Sequence, residues 1–169
     1  MRIVPVIFEA DARTAEGMRN EVEGRCLAPA GEFLPFEMAT DEGPYHGGAR
    51  SAPPPLAYFV TGLATCFLTQ LRAFAPSVGV TLGEAAVRAR VEWEAHLDGP
   101  GPYVARGRAI TLDMDIDSPA GLDKLRELVG VASKACYVEA LLAVPVRHRL
   151  KRGDDWLDMD EVSLEAARA

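Results

Sequence analysis

The stretch that most constrains the fold is residues 51–71, which carry no charged side chain. This run is nearly as long as the segment needed to cross a bilayer. It opens with consecutive prolines, however, and contains threonines, a glycine and a glutamine, which favour a helix inside a soluble domain over a membrane span. Proline is well tolerated in the first turn of a helix. We therefore predict a long buried helix from about Leu56 to Ala75, ending at Pro76.

Strict alternation of apolar and polar residues predicts a β-hairpin in the second half of the chain. The two alternating segments, residues 86–97 and 105–117, are separated by a turn of glycine and proline. Such alternation is typical of half-buried antiparallel strands. The expected apolar face comprises Val87, Ala89, Val91, Trp93, Ala95, Leu97, Ile110, Leu112, Met114 and Ile116.

A second helix and further strands surround these elements. Ser118 and Pro119 form a helix start, and the apolar residues that follow recur at helical spacing as far as Cys136. A short helical segment, residues 137–143, leads into a strand at residues 144–150, in which His148 lies on the apolar face. Near the N-terminus, residues 2–8 suit an edge strand and residues 32–38 a second strand.

The order of these elements predicts an α+β fold with an antiparallel sheet, a long buried central helix and a second helix. The length of 169 residues fits a single domain, with a core at about residues 33–150. Residues 151–169 form an acidic C-terminal extension, expected to be a turn followed by a short amphipathic helix.

Composition narrows the classes of function. The net charge of −7 argues against nucleic acid as a partner, because phosphate binding needs a basic surface. The N-terminus shows no sustained apolar segment of the kind found in signal peptides. An odd count of three cysteines does not suggest a secreted disulfide framework. We expect a cytoplasmic protein with no membrane association.

Two of the cysteines allow a structural or a redox interpretation. Cys66 lies in the uncharged helix and Cys136 follows the apolar stripe of the second helix, so each suits a small core residue. No CxxC motif is present, and no cysteine–histidine pair has the spacing of a zinc site. Cys26 is interpreted as structural.

A resemblance favours the redox interpretation. "PPPLAYFVTGLATCFLTQLRAFAPSVGV" resembles the central-helix segment of the OsmC/Ohr family, the osmotically inducible and organic hydroperoxide resistance proteins. In that family a proline opens the helix eleven residues before the first cysteine, as Pro55 does before Cys66. "VASKACYVEALLAVPVRHRL" is similar to the segment in which a helix ends at the second cysteine and a strand follows. The similarity extends over about residues 33–150.

The resemblance implies a thiol-dependent peroxidase that reduces organic hydroperoxides. Cys66 would be the cysteine that attacks the peroxide, and Cys136 the one that resolves the sulfenic acid into a disulfide. The family forms intertwined homodimers and uses an external dithiol reductant rather than a bound cofactor. The same expectations apply here, with no metal.

The activating groups of the family are only partly matched. A cysteine in the middle of a helix is far from the helix N-terminus, so its thiolate needs a nearby cation. In the family this cation is an arginine held by a glutamate, which usually follows the helix-opening proline by one or two positions. Leu56 and Ala57 occupy those positions here. Arg50 is the first candidate for the arginine. Arg13 and Arg25 are the others.

Two further sets of residues are candidates for the site. Glu42 and His46 could replace the missing carboxylate by holding the arginine or the thiolate. Tyr45, Tyr58 and Phe59 could line an apolar pocket suited to an alkyl or lipid-like hydroperoxide, although residues of this type are common in cores. The absent glutamate also motivates an alternative function, a non-catalytic dimer of the same fold that binds a small apolar ligand at the subunit interface.

Overall fold

The computed structural model describes residues 3–160, and this part of the chain forms two sheets and two helices. It divides into two compact units, residues 1–59 and 60–169, with the boundary inside the first helix. The elements in chain order are β1 (Ile7–Thr14), β2 (Asn20–Ala28), β3 (Phe36–Thr40), α1 (Pro55–Phe74), β4 (Ala85–His96), β5 (Val104–Ile116), α2 (Leu122–Ala135), β6 (Val146–Arg152) and β7 (Asp155–Asp158). The mixed composition confirms the predicted α+β class.

The first unit contains an antiparallel sheet of three strands in the order β1-β2-β3. The expected edge strand begins later than the sequence suggests, at Ile7, and so excludes Pro5, which has no N–H for a ladder. Gly24 lies opposite Phe36, whose ring occupies the space that a β-carbon at position 24 would need. An ion pair between Glu9 and Arg25 links β1 to β2.

In the second unit α1 buries one stripe of side chains rather than its whole circumference. Leu63, Phe67 and Leu71 are fully buried, at the spacing that places side chains on one face of a helix. The other faces carry uncharged residues that are partly or largely exposed in the single chain. The long central helix is therefore confirmed, but its burial is limited to this stripe.

The hairpin of β4 and β5 is confirmed, with one correction to its apolar face. Every second residue of β5 from Ile110 to Ile116 is buried, as the alternation predicts. In β4 the pattern holds as far as Val91, and the pairing then shifts between Glu92 and Trp93, because β5 carries an extra residue, Arg108, which the register with β4 skips. None of residues 93–96 or 104–109 is buried, so this end of the hairpin extends beyond the core. Trp93 is therefore 40% exposed and Leu97 69% exposed, instead of facing the core.

The sheet of the second unit is mixed rather than purely antiparallel. Its order is β4-β5-β6-β7, and β6 runs parallel to β5. The reason is the connection: α2 lies between β5 and β6 in sequence, and a helical crossover returns the chain in its original direction. The core of this unit combines the α1 stripe with residues of β5, α2 and β6, namely Leu112, Met114, Leu125, Leu128, Val129, Ala132 and Leu150.

Two predicted boundaries are wrong. The second helix begins at Leu122, because the Ser118 hydroxyl donates a hydrogen bond to the Thr81 carbonyl at 2.7 Å and so links two loops. After Leu150 the chain continues as β6 and then turns into β7, so no helix follows the turn up to Asp158. The rest of the expected amphipathic helix lies outside the described residues.

Ionic contacts follow the solvent side of β5, β6 and β7. The Arg149 guanidinium donates to both carboxylate oxygens of Asp113, at 2.6 and 2.7 Å, and stacks over the Trp156 ring at 5.4 Å. This fork geometry gives the parallel β5–β6 pair a side-chain link in addition to its backbone ladder. Among the described helices, none is both long and apolar enough to cross a membrane.

The core predicts a contrast between two leucine truncations. Leu128→Ala removes a side chain with no exposed area, and we expect it to lower the free energy of unfolding by about 2–5 kcal/mol. Leu97→Ala removes a side chain that is 69% exposed, and we expect a change below about 1 kcal/mol. Urea unfolding followed by circular dichroism measures both values. Equal losses would contradict the assignment of the core.

Candidate active site

The first thiol of the candidate site lies on α1. Cys66 is half-buried and packs against the core next to the fully buried Phe67. Thr65 binds back into the helix, since its hydroxyl donates to the Thr61 carbonyl at 2.8 Å. Because Cys66 lies far from the first turn at Pro55, the positive end of the helix dipole cannot stabilise its thiolate.

The second thiol, Cys136, is fully buried and caps the C-terminus of α2. Its backbone N–H donates to the Ser133 carbonyl at 3.1 Å, and its own carbonyl accepts from the Ala140 N–H at 3.0 Å. Burial raises the pKa of Cys136 to about 12, against the lowering effect of a hydrogen bond from the Glu139 N–H, and Cys66 adds to the rise. Cys66 therefore lies near enough to Cys136 to raise the pKa of its thiol, and both residues pack in the same core.

A buried polar network lies beside Cys136. His148, which is 3% exposed, has its Nδ1 2.9 Å from Asp160 Oδ1 and its Nε2 3.3 Å from Glu139 Oε2. The Asp160 carboxylate also accepts the His148 backbone N–H at 2.8 Å. Glu139 accepts a further hydrogen bond from the Ser133 hydroxyl at 2.9 Å. We call Ser133, Glu139, His148 and Asp160 the His148 network.

The network keeps its histidine charged. Burial alone would favour neutral imidazole, but the hydrogen bonds to Asp160 and Glu139 outweigh it and raise the pKa of His148 to about 9. Burial acts to raise the pKa of Asp160, and the hydrogen bonds from His148 lower it overall. The His148 ring also stacks at 5.1 Å from Phe67, the neighbour of Cys66. One buried cation therefore lies between the buried carboxylate of Glu139 and the exposed carboxylate of Asp160.

Sequence reasoning placed His148 on an inward face but gave neither it nor Glu139 a role. The signal for His148 was its phase in the strand: a histidine at an apolar position needs a partner when it is buried. No sequence signal identified Asp160, because its approach depends on β7, which was not predicted. A cavity of about 470 Å³ opens beside His148 and Asp160, lined on the α2 side by Arg126 and Lys134.

The loop that carries the other candidates belongs to the first unit and is organised by Asp41. The buried Asp41 carboxylate accepts hydrogen bonds from the backbone N–H groups of Glu42, Ala49 and Ser51, at 2.8–3.2 Å, and from the Ser51 hydroxyl. The hydrogen bond from the Ser51 N–H is the main cause that lowers the pKa of Asp41. A negative side chain thus fixes the loop on which His46 and Arg50 lie.

Within this loop the Glu42 carboxylate pairs with the His46 side chain, whereas Arg50 reaches Glu42 only through its backbone N–H, which donates to the Glu42 carbonyl at 3.2 Å. The Glu42 carboxylate lies 3.7 Å from His46 Nδ1. The exposed Arg50 adopts a left-handed backbone with φ of 58°, which is unusual for a side chain of this size. Among the described residues of the first unit, no carboxylate forms an ion pair with Arg50.

Another arginine of the same unit is held by a glutamate. Arg19 Nε lies 2.7 Å from Glu21, and its Nη1 donates to the Ser51 hydroxyl at 3.0 Å. Sequence reasoning missed Arg19, because the contact with Ser51 joins residues far apart in the chain. Of the other arginine candidates, Arg25 pairs with Glu9, and Arg13 lies on β1.

The aromatic candidates also lie in the first unit. The Tyr58 hydroxyl donates to the Ala39 carbonyl at 2.9 Å, which joins the start of α1 to β3. Phe59 is 38% exposed, and Tyr45 is 87% exposed with its ring edge against His46. Between residues 3 and 160, no group of three or more metal-ligating side chains is arranged to hold a metal ion.

Comparison with protein families gives one match: residues 47–151 fit the model described as OsmC-like protein. Among solved structures, the chain is similar to an OsmC-like hydroperoxide resistance protein from Jannaschia sp. CCS1. The two are 36% identical, the alignment covers 90% of this chain and 97% of that one, and the TM-score is 0.52. The comparison with curated proteins gave no match.

More distant structures share the fold. An organic hydroperoxide resistance protein from Legionella pneumophila is 19% identical, with a TM-score of 0.60 over 89% of this chain and 97% of that one. One from Vibrio cholerae, with captopril bound in one of its active sites, is 23% identical, with a TM-score of 0.57 over 88% and 94% of the two chains. At these identities the likeness concerns the fold alone.

The His148 network predicts a pH dependence of stability. Because the pKa of His148 is about 9 in the folded protein and 6.5 for an ordinary histidine, the full stabilisation is present below pH 6.5 and is lost as the pH rises through 9. We expect the free energy of unfolding to fall by up to about 3 kcal/mol over this range. His148→Gln should flatten the fall, whereas His96→Gln, at an exposed pair with Glu94, should not. Identical slopes in all three proteins would refute the prediction.

Proposed function

Because the chain belongs to the OsmC-like protein family, we propose that it is a thiol-dependent peroxidase that reduces organic hydroperoxides. The observation that supports the proposal is that Cys66 and Cys136 pack in the same core, where Cys66 contributes to the raised pKa of Cys136. The two thiols come from different helices, α1 and the end of α2, and meet at the core of one unit. A peroxidase of this kind needs such a pair, because the sulfenic acid formed on the first cysteine must be captured by a second.

The proposed reaction has three steps. The Cys66 thiolate attacks one oxygen of the hydroperoxide, the O–O bond breaks, and the products are a sulfenic acid and, after protonation, an alcohol. Cys136 then attacks the sulfenic sulfur, a disulfide forms, and the leaving hydroxide takes the thiol proton to become water. An external dithiol reduces the disulfide by thiol–disulfide exchange and is itself oxidised to a disulfide.

The cation that favours the thiolate is proposed to be an arginine of the first unit. Arg50 is the candidate from the sequence. The ion pair between Arg19 and Glu21 makes Arg19 a second candidate, since the family's arginine is held by a glutamate and none follows Pro55 here. Both arginines adjoin Ser51, Arg50 by sequence and Arg19 by its hydrogen bond.

The remaining roles are proposed from composition and exposure. His46, Tyr58 and Phe59 are proposed to contact the organic part of the substrate. The exposed apolar side chains of α1, such as Leu56, support a homodimer, in which they would be covered. The low, odd cysteine count supports a reducing cytoplasmic setting, with no metal or other cofactor required.

One observation favours a second candidate function. Leu56 and Ala57 stand where the family has its glutamate, and Glu42 is engaged with His46. If no other group completes the site, the protein is a non-catalytic dimer that binds a small apolar ligand at the subunit interface. The reactivity of Cys66 separates the two functions.

The first test is oxidation of reduced protein by one equivalent of cumene hydroperoxide. We expect the intact mass to fall by two hydrogens within seconds, and peptide mapping to assign the change to a Cys66–Cys136 bond. Cys26→Ser is the matched control and should behave as the wild type, because Cys26 donates within its own strand end, to the Ala28 carbonyl at 3.2 Å. An unchanged mass, or slow oxidation that includes Cys26, would favour the ligand-binding dimer.

The second test identifies the arginine. We expect Arg19→Ala or Arg50→Ala, whichever removes the activating cation, to slow the oxidation of Cys66 about tenfold or more, because the thiolate fraction falls. Arg90→Ala, which removes an exposed arginine of β4 that pairs with Glu92, is the control and should have no effect. The rate of alkylation by iodoacetamide at mildly acidic pH gives the same ranking without peroxide. If both arginine variants react like wild type, the proposed activation by either residue is wrong.

A further inference from the structure

The turn that follows Cys136 is held by backbone contacts to Cys136 and by side-chain contacts to the His148 network. This turn, Glu139–Leu141, begins at Glu139, whose backbone N–H acts to lower the pKa of the Cys136 thiol against the effect of burial. The Ala140 N–H donates to the Cys136 carbonyl at 3.0 Å. The carboxylate of Glu139 points the other way, to the Ser133 hydroxyl and the His148 imidazolium. A single residue thus joins the second thiol to the His148 network.

Capping the C-terminus of α2 does not by itself require the buried ionic contacts of the His148 network. The side chains of Glu139 and His148 are only 8% and 4% exposed, although buried ionic groups cost free energy and a capped helix end does not need them. The network spans four separate parts of the chain: the end of α2, the turn that begins at Glu139, β6, and Asp160, the second residue after β7. A hydrogen-bonded network of this kind restricts the conformation of the segments that contribute to it. Here it restricts the turn that follows Cys136.

We propose that the His148 network is a positioning device for the resolving step, in which the Glu139 carboxylate anchors the turn that follows Cys136. This inference rests on the proposed function, and it assigns Glu139, Ser133 and His148 as positioning residues. They act on the attack of Cys136 on oxidised Cys66, and not on the attack of Cys66 on the peroxide.

The carboxylate and the backbone N–H of Glu139 have opposite effects on the formation of a Cys136 thiolate in the resolving step. The negative carboxylate of Glu139 opposes formation of a Cys136 thiolate, whereas the N–H of Glu139 assists it. The other charged groups around His148 are Asp160, from the end of β7, and Arg126 and Lys134, from α2. Glu139→Gln removes the charge and keeps an oxygen that can accept from Ser133. Glu139→Ala removes both the charge and the anchor.

The experiment is a single turnover of the full-length protein with one equivalent of cumene hydroperoxide, quenched in acid at successive times. Gain of one oxygen reports the first step, and subsequent loss of water reports the disulfide. We expect Glu139→Ala to slow disulfide formation about tenfold, the effect of losing a hydrogen bond to a charged group, with the first step unchanged. Glu139→Gln should form the disulfide at least as fast as wild type.

Two further variants complete the design. Ser133→Ala loses one hydrogen bond to Glu139 and keeps the charge, so it should slow disulfide formation, as Glu139→Ala does. It replaces Glu139→Ala in the test if that variant fails to fold. Glu127→Ala removes an exposed glutamate of α2 that pairs with Lys124 and is the matched control. Equal slowing of both steps, or equal slowing in Glu139→Gln and Glu139→Ala, would overturn the proposal.

A parallel series with diamide separates this proposal from the proposed function. Diamide adds to the Cys66 thiolate, and attack by Cys136 then gives the disulfide and releases the reduced hydrazine, so no peroxide is needed. If wild type does not react with cumene hydroperoxide, the peroxidase proposal fails, and the order of the variants with diamide still tests the network. An order of Glu139→Gln at or above wild type and Glu139→Ala below it supports the positioning role, and any other order contradicts it.

Discussion

Burial of one stripe of α1 is the constraint on which the second unit depends. Leu63, Phe67 and Leu71 lie on a single face and pack into a core shared with β5, α2 and β6. Because side chains on a helix have fixed angular positions, seating Phe67 in this core also fixes the direction of its neighbour Cys66. The orientation of the first thiol is therefore a consequence of hydrophobic packing, and no polar contact on α1 is needed to set it.

The second thiol is placed by different physics. Cys136 ends α2 and is followed by a turn whose first residue enters a network in which the cation and one carboxylate are buried and the second carboxylate, of Asp160, is exposed. Burying these groups is costly, and each must find its partners in full. The network therefore specifies the local geometry more narrowly than apolar packing would, which is a useful property next to a thiol that has to meet another.

The accuracy of the sequence-based predictions depended on the range of the interactions involved. The hairpin followed from alternation within each strand, and the predicted apolar face failed only beyond Val91, because alternation does not show where the core ends or that Arg108 is an extra residue in the pairing. The start of α2 was misassigned, because Ser118 bonds to Thr81 rather than to its own helix. The predictions of site residues also succeeded for local features and failed for long-range contacts. Cys66 and Cys136 stood out by their positions in helices, whereas Glu139 and Asp160 depend on contacts between distant segments.

The sequence by itself determined the class of fold, the uncharged central helix and the two cysteines that make redox chemistry plausible, because these are properties of local periodicity and of residue type. Only the tertiary structure decided that β6 runs parallel to β5, that the two thiols pack in one core, and that His148 is charged between Glu139 and Asp160. Each of these depends on which distant residues the core brings into contact, and the direction of a pKa shift depends on the neighbours as much as on the group itself.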